Sequence, residues 1–314
     1  LEKNRDEQEQ ETLVHGDVSI VKSGTCSGEA KDGNSMTALL RAASDQNWKE
    51  VKKLILGGAD PGVADGQGLT ALHYAAFYGS TELSQTLLEH GPSGLIFREA
   101  PDETTSLFLA CGNGHLDVAK ILMEAGGKAL LLKARTDGMT CLYIACQEGR
   151  LKIVKALIEA GGEALLFKTE RDGCSCLYSA CQNGHLEIAK ALIKAGGEAL
   201  LLKTATSGYS CLYIACKKGH LEVVKALVKA SGDSRAAFLL MADSAHGYSC
   251  LHAACYFGHV TIVDFLLSLS CPGLVGLRDR SGCTALELAV AAGKKGAAEA
   301  IRAASGRPAT PRPS

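Results

Sequence analysis

The stretch "TCLYIACQEGRLKIVKALIEAGG", residues 140 to 162, carries the reading of the whole chain. It opens on a hydroxyl residue, Thr140, whose side-chain oxygen suits a helix N-cap. "CLYIACQE" then reads as a short helix with Leu142, Ala145 and Cys146 turned inward, and Gly149 ends it. From Leu151 the apolar residues Leu151, Val154, Leu157 and Ile158 recur at helical spacing, which leaves Lys152, Lys155 and Glu159 for water. Gly161 is expected to cap this second helix in the left-handed conformation. The next segment, "GEALLFKTERDG", ends in Asp172-Gly173, a pair that favours a tight turn. One unit is therefore a helix, a turn, a second helix and an extended excursion with a turn at its tip.

The unit recurs. Anchors of the form Ser/Thr-x-Leu stand at Thr37, Thr70, Thr105, Thr140, Ser175, Ser210, Ser249 and Thr284, at successive spacings of 33, 35, 35, 35, 35, 39 and 35 residues. A period of this kind, with a turn and two helices per unit, resembles the ankyrin repeat, whose signature is Thr-Pro-Leu-His-x-Ala. "TALHYAAFYGSTELSQTLLEHG" from Thr70 and "SCLHAACYFGHVTIVDFLL" from Ser249 carry the resemblance best, and "NGHLDVAKILMEAG" and "KGHLEVVKALVKA" are similar to the family's second helix. Three departures stand out. The signature proline is replaced in every unit, by Ala38, Ala71, Ser106, Cys141, Cys176, Cys211, Cys250 and Ala285. The signature histidine remains only at His73 and His252. Most units also carry a two-residue insertion with "ALLL" or "ALLF" where the family has a polar segment. A tetratricopeptide array has a similar period, but its Trp pattern is missing, since Trp48 is the only tryptophan.

The expected fold is an all-α repeat protein, an ankyrin solenoid of stacked helix-turn-helix units with hairpin-like excursions. Residues 33–305 form the array of eight repeats, with an Ala-rich, truncated last one. Residues 1–32 are read as a partly disordered flank that forms at most a short strand near "LVHGDVSIV". Residues 306–314, "GRPATPRPS", are read as a disordered Pro-rich tail.

Composition narrows the partners. Lys plus Arg number 33 against 34 Asp plus Glu, for a formal charge of -1, so no global field draws the chain onto nucleic acid or an acidic membrane. No apolar run approaches the ~18 residues of a membrane span; the greasiest stretch, "LHAACYFGHVTIVDFLL", is interrupted by His259 and Asp264. The opening "LEKNRDEQEQE" lacks the apolar core of a secretory signal. Thirteen cysteines, an odd number, and no Asn-x-Ser/Thr sequon point to a reducing compartment, the cytoplasm or nucleus.

The cysteines invite a redox or metal reading, which helical geometry disfavours. Cys176 and Cys181, five apart on a helix, diverge by about 140° and ~7.5 Å. Equivalent thiols of successive repeats, such as Cys146, Cys181 and Cys216, are expected at helix-packing distances of ~8–10 Å, too far for one zinc or a disulfide. Cysteine reads instead as a small hydrophobe, since Ala43 and Ala76 fill the slot held by Cys111, Cys146, Cys181, Cys216 and Cys255. Cys174 and Cys283, after the tip glycines, are the better candidates for redox chemistry. The histidines of "NGHL" (His115, His185), "KGHL" (His220) and "FGHV" (His259) fall at the turn inside each repeat, where Arg150, Ser80 and Asn47 also stand, so they read as turn residues rather than ligands. "GQGLTA", Gly66 to Ala71, satisfies a dinucleotide fingerprint but lacks the preceding strand. With no catalytic constellation, the chain reads as a non-enzyme with no cofactor, no metal and no small-molecule substrate.

The resemblance implies a partner protein bound on the concave surface, lined by excursion tips and the exposed ends of the first helices. Those positions vary from repeat to repeat. Aromatic anchors dominate many interfaces, so the expected contact set is Tyr209, Tyr248, Tyr256 and Phe257 with Lys217 and Lys218, and a second set of Phe77 and Tyr78. Tyr143, Tyr178 and Tyr213, at the signature histidine position, are expected in the scaffold. A scaffold or adaptor is the leading functional reading. The alternatives are a regulatory segment of a larger kinase or ubiquitin ligase, and a thiol redox or metal protein.

Overall fold

The computed structural model describes residues 36–306. The possible strand near "LVHGDVSIV" and the Pro-rich tail lie outside the described residues. The chain divides into two compact units between Gly161 and Gly162.

Each anchor starts a helix pair, and the described residues hold 17 helices and no strand. In chain order the pairs are α1 (Ala38–Ser44) with α2 (Trp48–Leu56), α3 (Ala71–Tyr78) with α4 (Thr81–His90), and α5 (Ser106–Asn113) with α6 (Leu116–Leu131). Next come α7 (Cys141–Gln147) with α8 (Leu151–Leu166), and α9 (Cys176–Gln182) with α10 (Leu186–Leu201). The sixth repeat has α11 (Cys211–Lys218), α12 (Leu221–Ala230) and a short extra helix α13 (Arg235–Leu240), which accounts for its longer spacing. The last two pairs are α14 (Cys250–Phe257) with α15 (Val260–Ser268), and α16 (Ala285–Ala291) with α17 (Lys295–Ala304).

The anchors are N-caps, as the hydroxyl pattern implies. Thr140 Oγ1 accepts the backbone N–H of Tyr143 at 3.2 Å, and Ser210 Oγ that of Tyr213 at 3.1 Å. Where the signature histidine remains, it closes the cap from the other side. The N–H of Thr70 donates to His73 Nδ1 at 3.1 Å, and that of Ser249 to His252 Nδ1 at 3.2 Å. This leaves Nε2 to carry the proton, which it donates to the next excursion: His73 to Thr104 O and His252 to Cys283 O, each at 3.3 Å. Burial lowers the His73 imidazole to about 4, so the neutral tautomer that makes both bonds is the stable one.

The excursions are narrower than expected. A single antiparallel bridge closes each one, as between Thr204 and Ser210 or Ala64 and Thr70. The "ALLL" insertion is not extended at all. It adds a helical turn beyond a kink, so that α6, α8 and α10 each run for 16 residues. The kink falls on the second glycine of Ala-Gly-Gly, with φ/ψ of 55/-155° at Gly127, 57/-154° at Gly162 and 58/-152° at Gly197. The positive φ thus belongs to Gly162, and Gly161 is not the left-handed cap. The first glycine of the pair has a different task, because a Cβ at Gly126 or Gly196 would lie 2.6 Å from the Cβ of Leu130 or Leu200. Two apolar residues of each extra turn are driven into the core: Leu165 and Leu166, Leu200 and Leu201, and in α13 Phe238 and Leu239 are all buried.

The inner helices supply the stacking surface. Leu142, Ala145 and Cys146 are fully buried, and so are their counterparts Leu212, Ala215 and Cys216. On the outer helix Val154 and Leu157 are fully buried, whereas Leu151 and Ile158 are only half-buried.

Candidate protein-binding surface

Backbone bonds chain the tips of successive excursions. In the second unit Thr206 N–H donates to Asp172 O at 2.8 Å, Ser244 N–H to Ser207 O at 3.0 Å, and Arg280 N–H to His246 O at 2.8 Å. Three of the tips in this unit are wrapped around a carboxylate, whereas the tip that carries Tyr209 has none and is closed by the backbone bonds of Ala205 with Tyr209 and Gly208. Asp243 accepts the N–H groups of Ala245, His246 and Tyr248 at 2.8, 2.6 and 2.7 Å. Glu170 accepts from Asp172 and Cys174, and Asp279 from Ser281 and Cys283. These acids were not singled out in the sequence, although Asp65, Glu170, Asp243 and Asp279 each stand four or five residues before the last position of their tip.

The second unit presents Tyr209 and Tyr248 half-buried at its tips. Tyr209 stacks on Tyr213, centroids 4.4 Å apart and planes 13° apart. Tyr248 lies between the rings of His246 and His252, at 5.2 and 5.9 Å. Both tyrosines therefore rest on the first turn of the helix they precede and keep one edge toward solvent. Tyr213 is buried, as are Tyr143 and Tyr178, which makes all three scaffold residues. Two turns along, Tyr256 and Phe257 meet edge to face at 5.1 Å, and Phe257 remains 37% exposed. The Lys217 ammonium of the preceding repeat sits 5.4 Å from the Phe257 ring centroid, a cation–π contact between repeats, and Lys218 beside it is exposed.

The first unit offers less. Tyr78 is half-buried, 6.0 Å from the Trp48 ring and edge-on to Phe77 at 5.0 Å. Phe77 is buried at 8% exposure and faces the stack, so it is removed from the expected contact set.

The twelve cysteines among the described residues are free thiols, nine of them buried. Comparing only equivalent positions missed a staggered arrangement. The Cys111 thiol meets that of Cys141, Cys181 that of Cys211, and Cys216 that of Cys250, each pair spanning adjacent repeats. Burial first, and the neighbouring thiol second, hold Cys111, Cys181 and Cys216 well above the usual thiol range, which suppresses the nucleophilic thiolate. Cys174 is also pushed up, by burial and then by the Glu170 carboxylate. Among the described residues no group of three or more His, Cys, Asp or Glu side chains is placed to hold a metal ion, and no helix is long and apolar enough to cross a membrane.

The turn histidines join repeats. His115 Nε2 pairs with Phe77 O at 2.9 Å, His220 with Gln182 O at 3.0 Å and His259 with Lys217 O at 3.0 Å, while Arg150 Nε donates to Gly112 O at 3.0 Å in the same manner. Each thereby satisfies a carbonyl at the end of the preceding inner helix, a group left without an intrahelical partner. The sequence signal was present in the glycine one repeat earlier, on whose open face the ring lies: a Cβ at Gly79 would be 2.3 Å from His115 Nδ1.

A family model of ankyrin repeats, in three copies, matches residues 12–96, 39–130, 94–166, 162–236 and 228–306. Among solved structures, the human ASB11 ankyrin repeat domain is similar at 25% sequence identity with a TM-score of 0.62, over 77% of this chain and 100% of that one.

Proposed function

The chain belongs to the ankyrin-repeat family, and from that premise we propose that it is a scaffold or adaptor that binds a partner protein on its concave surface and performs no chemistry of its own. Ankyrin repeats are generally protein–protein interaction modules. The observation that carries the finer reading is the corner formed by Lys217, Lys218, Tyr256 and Phe257. Here an aromatic ring is kept partly in solvent at a position that other repeats fill with Gly112-Asn113 or Gln182-Asn183. Tyr209 and Tyr248 extend the same surface toward the tips, and Tyr78 marks a smaller contact in the first unit.

The reading covers residues 33–305 as the binding array and places the protein in the cytoplasm or nucleus, where its free thiols remain reduced. The test is affinity capture with the full chain, comparing wild type with Tyr256→Ala/Phe257→Ala. Selective loss of a protein partner, with an unchanged far-UV circular dichroism spectrum, is the expected result. Recovery of the same partners in the same yield would refute the assignment.

A further inference from the structure

We infer that the three staggered cysteine pairs, Cys111–Cys141, Cys181–Cys211 and Cys216–Cys250, are oxidation sites at which a hydroperoxide joins two thiols of successive repeats in a disulfide. The sites modify this chain and act on no substrate, and they stand apart from the protein-binding reading.

Each pair has the same construction. The first thiol lies toward the end of an inner helix, α5, α9 or α11, and the second opens the next inner helix, α7, α11 or α14. The second gives its hydrogen to the repeat before it, at Leu131 O, Leu201 O and Leu239 O. The first donates to the sulfur of the second, so two sulfur atoms meet inside each interface. None of the six side chains is more than 3% exposed. The carbonyl accounts for sulfur at the second position only. Packing does not require it at the first, which Ala43 and Ala76 fill while fully buried, opposite Ala71 and Ser106. Cys255 holds the first position opposite Ala285 and so has no thiol across its interface.

A closed interface is inert, because burial suppresses the thiolate and keeps oxidant out. Stacked repeats open locally, one interface at a time, and an open interface bears ordinary thiols. One sulfur then attacks the peroxide and its O–O bond breaks. The departing hydroxide takes the thiol proton as water and leaves a sulfenic acid. Reclosure returns the partner thiol to contact with it before a second peroxide arrives. The partner sulfur attacks the sulfenic sulfur, the S–O bond breaks, and the hydroxyl leaves with the partner's proton as a second water. Two thiols are thus oxidised and one peroxide is reduced. The bridge also removes the hydrogen that the second cysteine gave to its carbonyl, which leaves a buried acceptor unpaired and makes the disulfide easier to reduce than a structural one.

The test holds the full chain, in a Cys26→Ser background, with hydrogen peroxide in urea below its transition, then alkylates, digests and maps it by non-reducing mass spectrometry. The three named links are expected, with Cys255 unlinked. Their rate should rise with urea, in step with local opening. The members of each pair stand 30, 30 and 34 residues apart, so each link should lower the unfolding constant about 10-fold or more. Cys111→Ala, which installs the residue other repeats carry there, should lose its own link and keep the other two. Links between equivalent positions such as Cys181 and Cys216, or sulfinic acid at the six cysteines, would overturn the inference. So would thiols that stay reduced once the interfaces open, or a link pattern that matches the scrambled one formed in fully denaturing urea.

Discussion

Replacing Gly219 by alanine isolates the contact that joins the sixth and seventh repeats. Gly219 has φ of +82°, where an L residue is strained by ~1–2 kcal/mol. Its added Cβ would also lie 2.7 Å from His259 Cε1 and 2.8 Å from Nδ1. The ring must therefore move, losing the 3.0 Å bond to Lys217 O, worth ~1 kcal/mol net. The expected loss is about 2–3 kcal/mol. Stacked repeats behave as a line of neighbours, so the loss falls on one interface and lets the repeats from Ser249 onward unfold first. The fluorescence of Trp48, the only tryptophan, reports the first repeat, whereas far-UV circular dichroism reports every helix. In urea, Gly219→Ala should move the dichroism transition to lower denaturant and leave much of the fluorescence transition behind. In a His259→Ala background only the φ strain remains, so the substitution should cost about 1 kcal/mol less. Equal losses in the two backgrounds, or none in either, would refute the account of why glycine stands there.

Leu157→Ala should cost ~2–5 kcal/mol, because Leu157 is fully buried; an unchanged urea midpoint would contradict its place in the core. Ser210→Ala should cost ~1 kcal/mol through loss of the bond from Tyr213 N–H, measured in the same way. In a Cys26→Ser background, Ellman's reagent should label Cys271 and Cys283 quickly and Cys174 slowly, and the nine buried thiols only after denaturant; native labelling of Cys146, Cys181 or Cys216 would contradict their assignment. Stability should fall on acidification. His73 takes up a proton at about 4 when folded and near 6.5 when unfolded, so its contribution is present above 6.5 and is lost as pH falls toward 4. Wild type should be about 2 kcal/mol less stable at pH 5 than at pH 7 from this group, with His252 adding in the same direction, and His73→Gln should flatten the profile.

The period, the N-caps and the buried leucines were legible in the sequence because each is written within one unit and repeated in the next. Thr140 and Leu142 announce their roles in their own unit. The staggered thiol pairs and the histidine bonds were not legible, because each joins residues some 30 to 42 positions apart in the chain. Comparing equivalent positions treats repeats as copies side by side, whereas stacking sets the start of one inner helix against the end of the last. The insertion was misread for a local reason: "GEALL" follows a helix terminator, and a glycine at φ near 57° both breaks a helix and allows another turn after it. At the candidate site, Lys217, Tyr256 and Phe257 were identified as positions that vary between repeats, but variation could not separate exposed Phe257 from buried Phe77.

The replaced proline and the added turn prove to be parts of one device. A helical turn beyond the kink ends in carbonyls that no helix satisfies, and its leucines bury them. Cysteine at the former proline position supplies the missing donor: Sγ of Cys141 donates to Leu131 O at 3.6 Å, Cys176 to Leu166 O at 3.4 Å, Cys211 to Leu201 O at 3.2 Å and Cys250 to Leu239 O at 3.4 Å. These four follow the four repeats that carry the extra helix. Where the preceding excursion lacks it, the position is Ala71, Ser106 or Ala285. Ser106 shows why a donor alone does not suffice. The segment before it forms only a 3-10 turn at Leu95–Phe97, and its buried hydroxyl finds no partner. Proline has no polar side-chain hydrogen to donate, so it could not satisfy the carbonyl that a lengthened outer helix leaves, whereas a small, weakly polar thiol both packs and donates there.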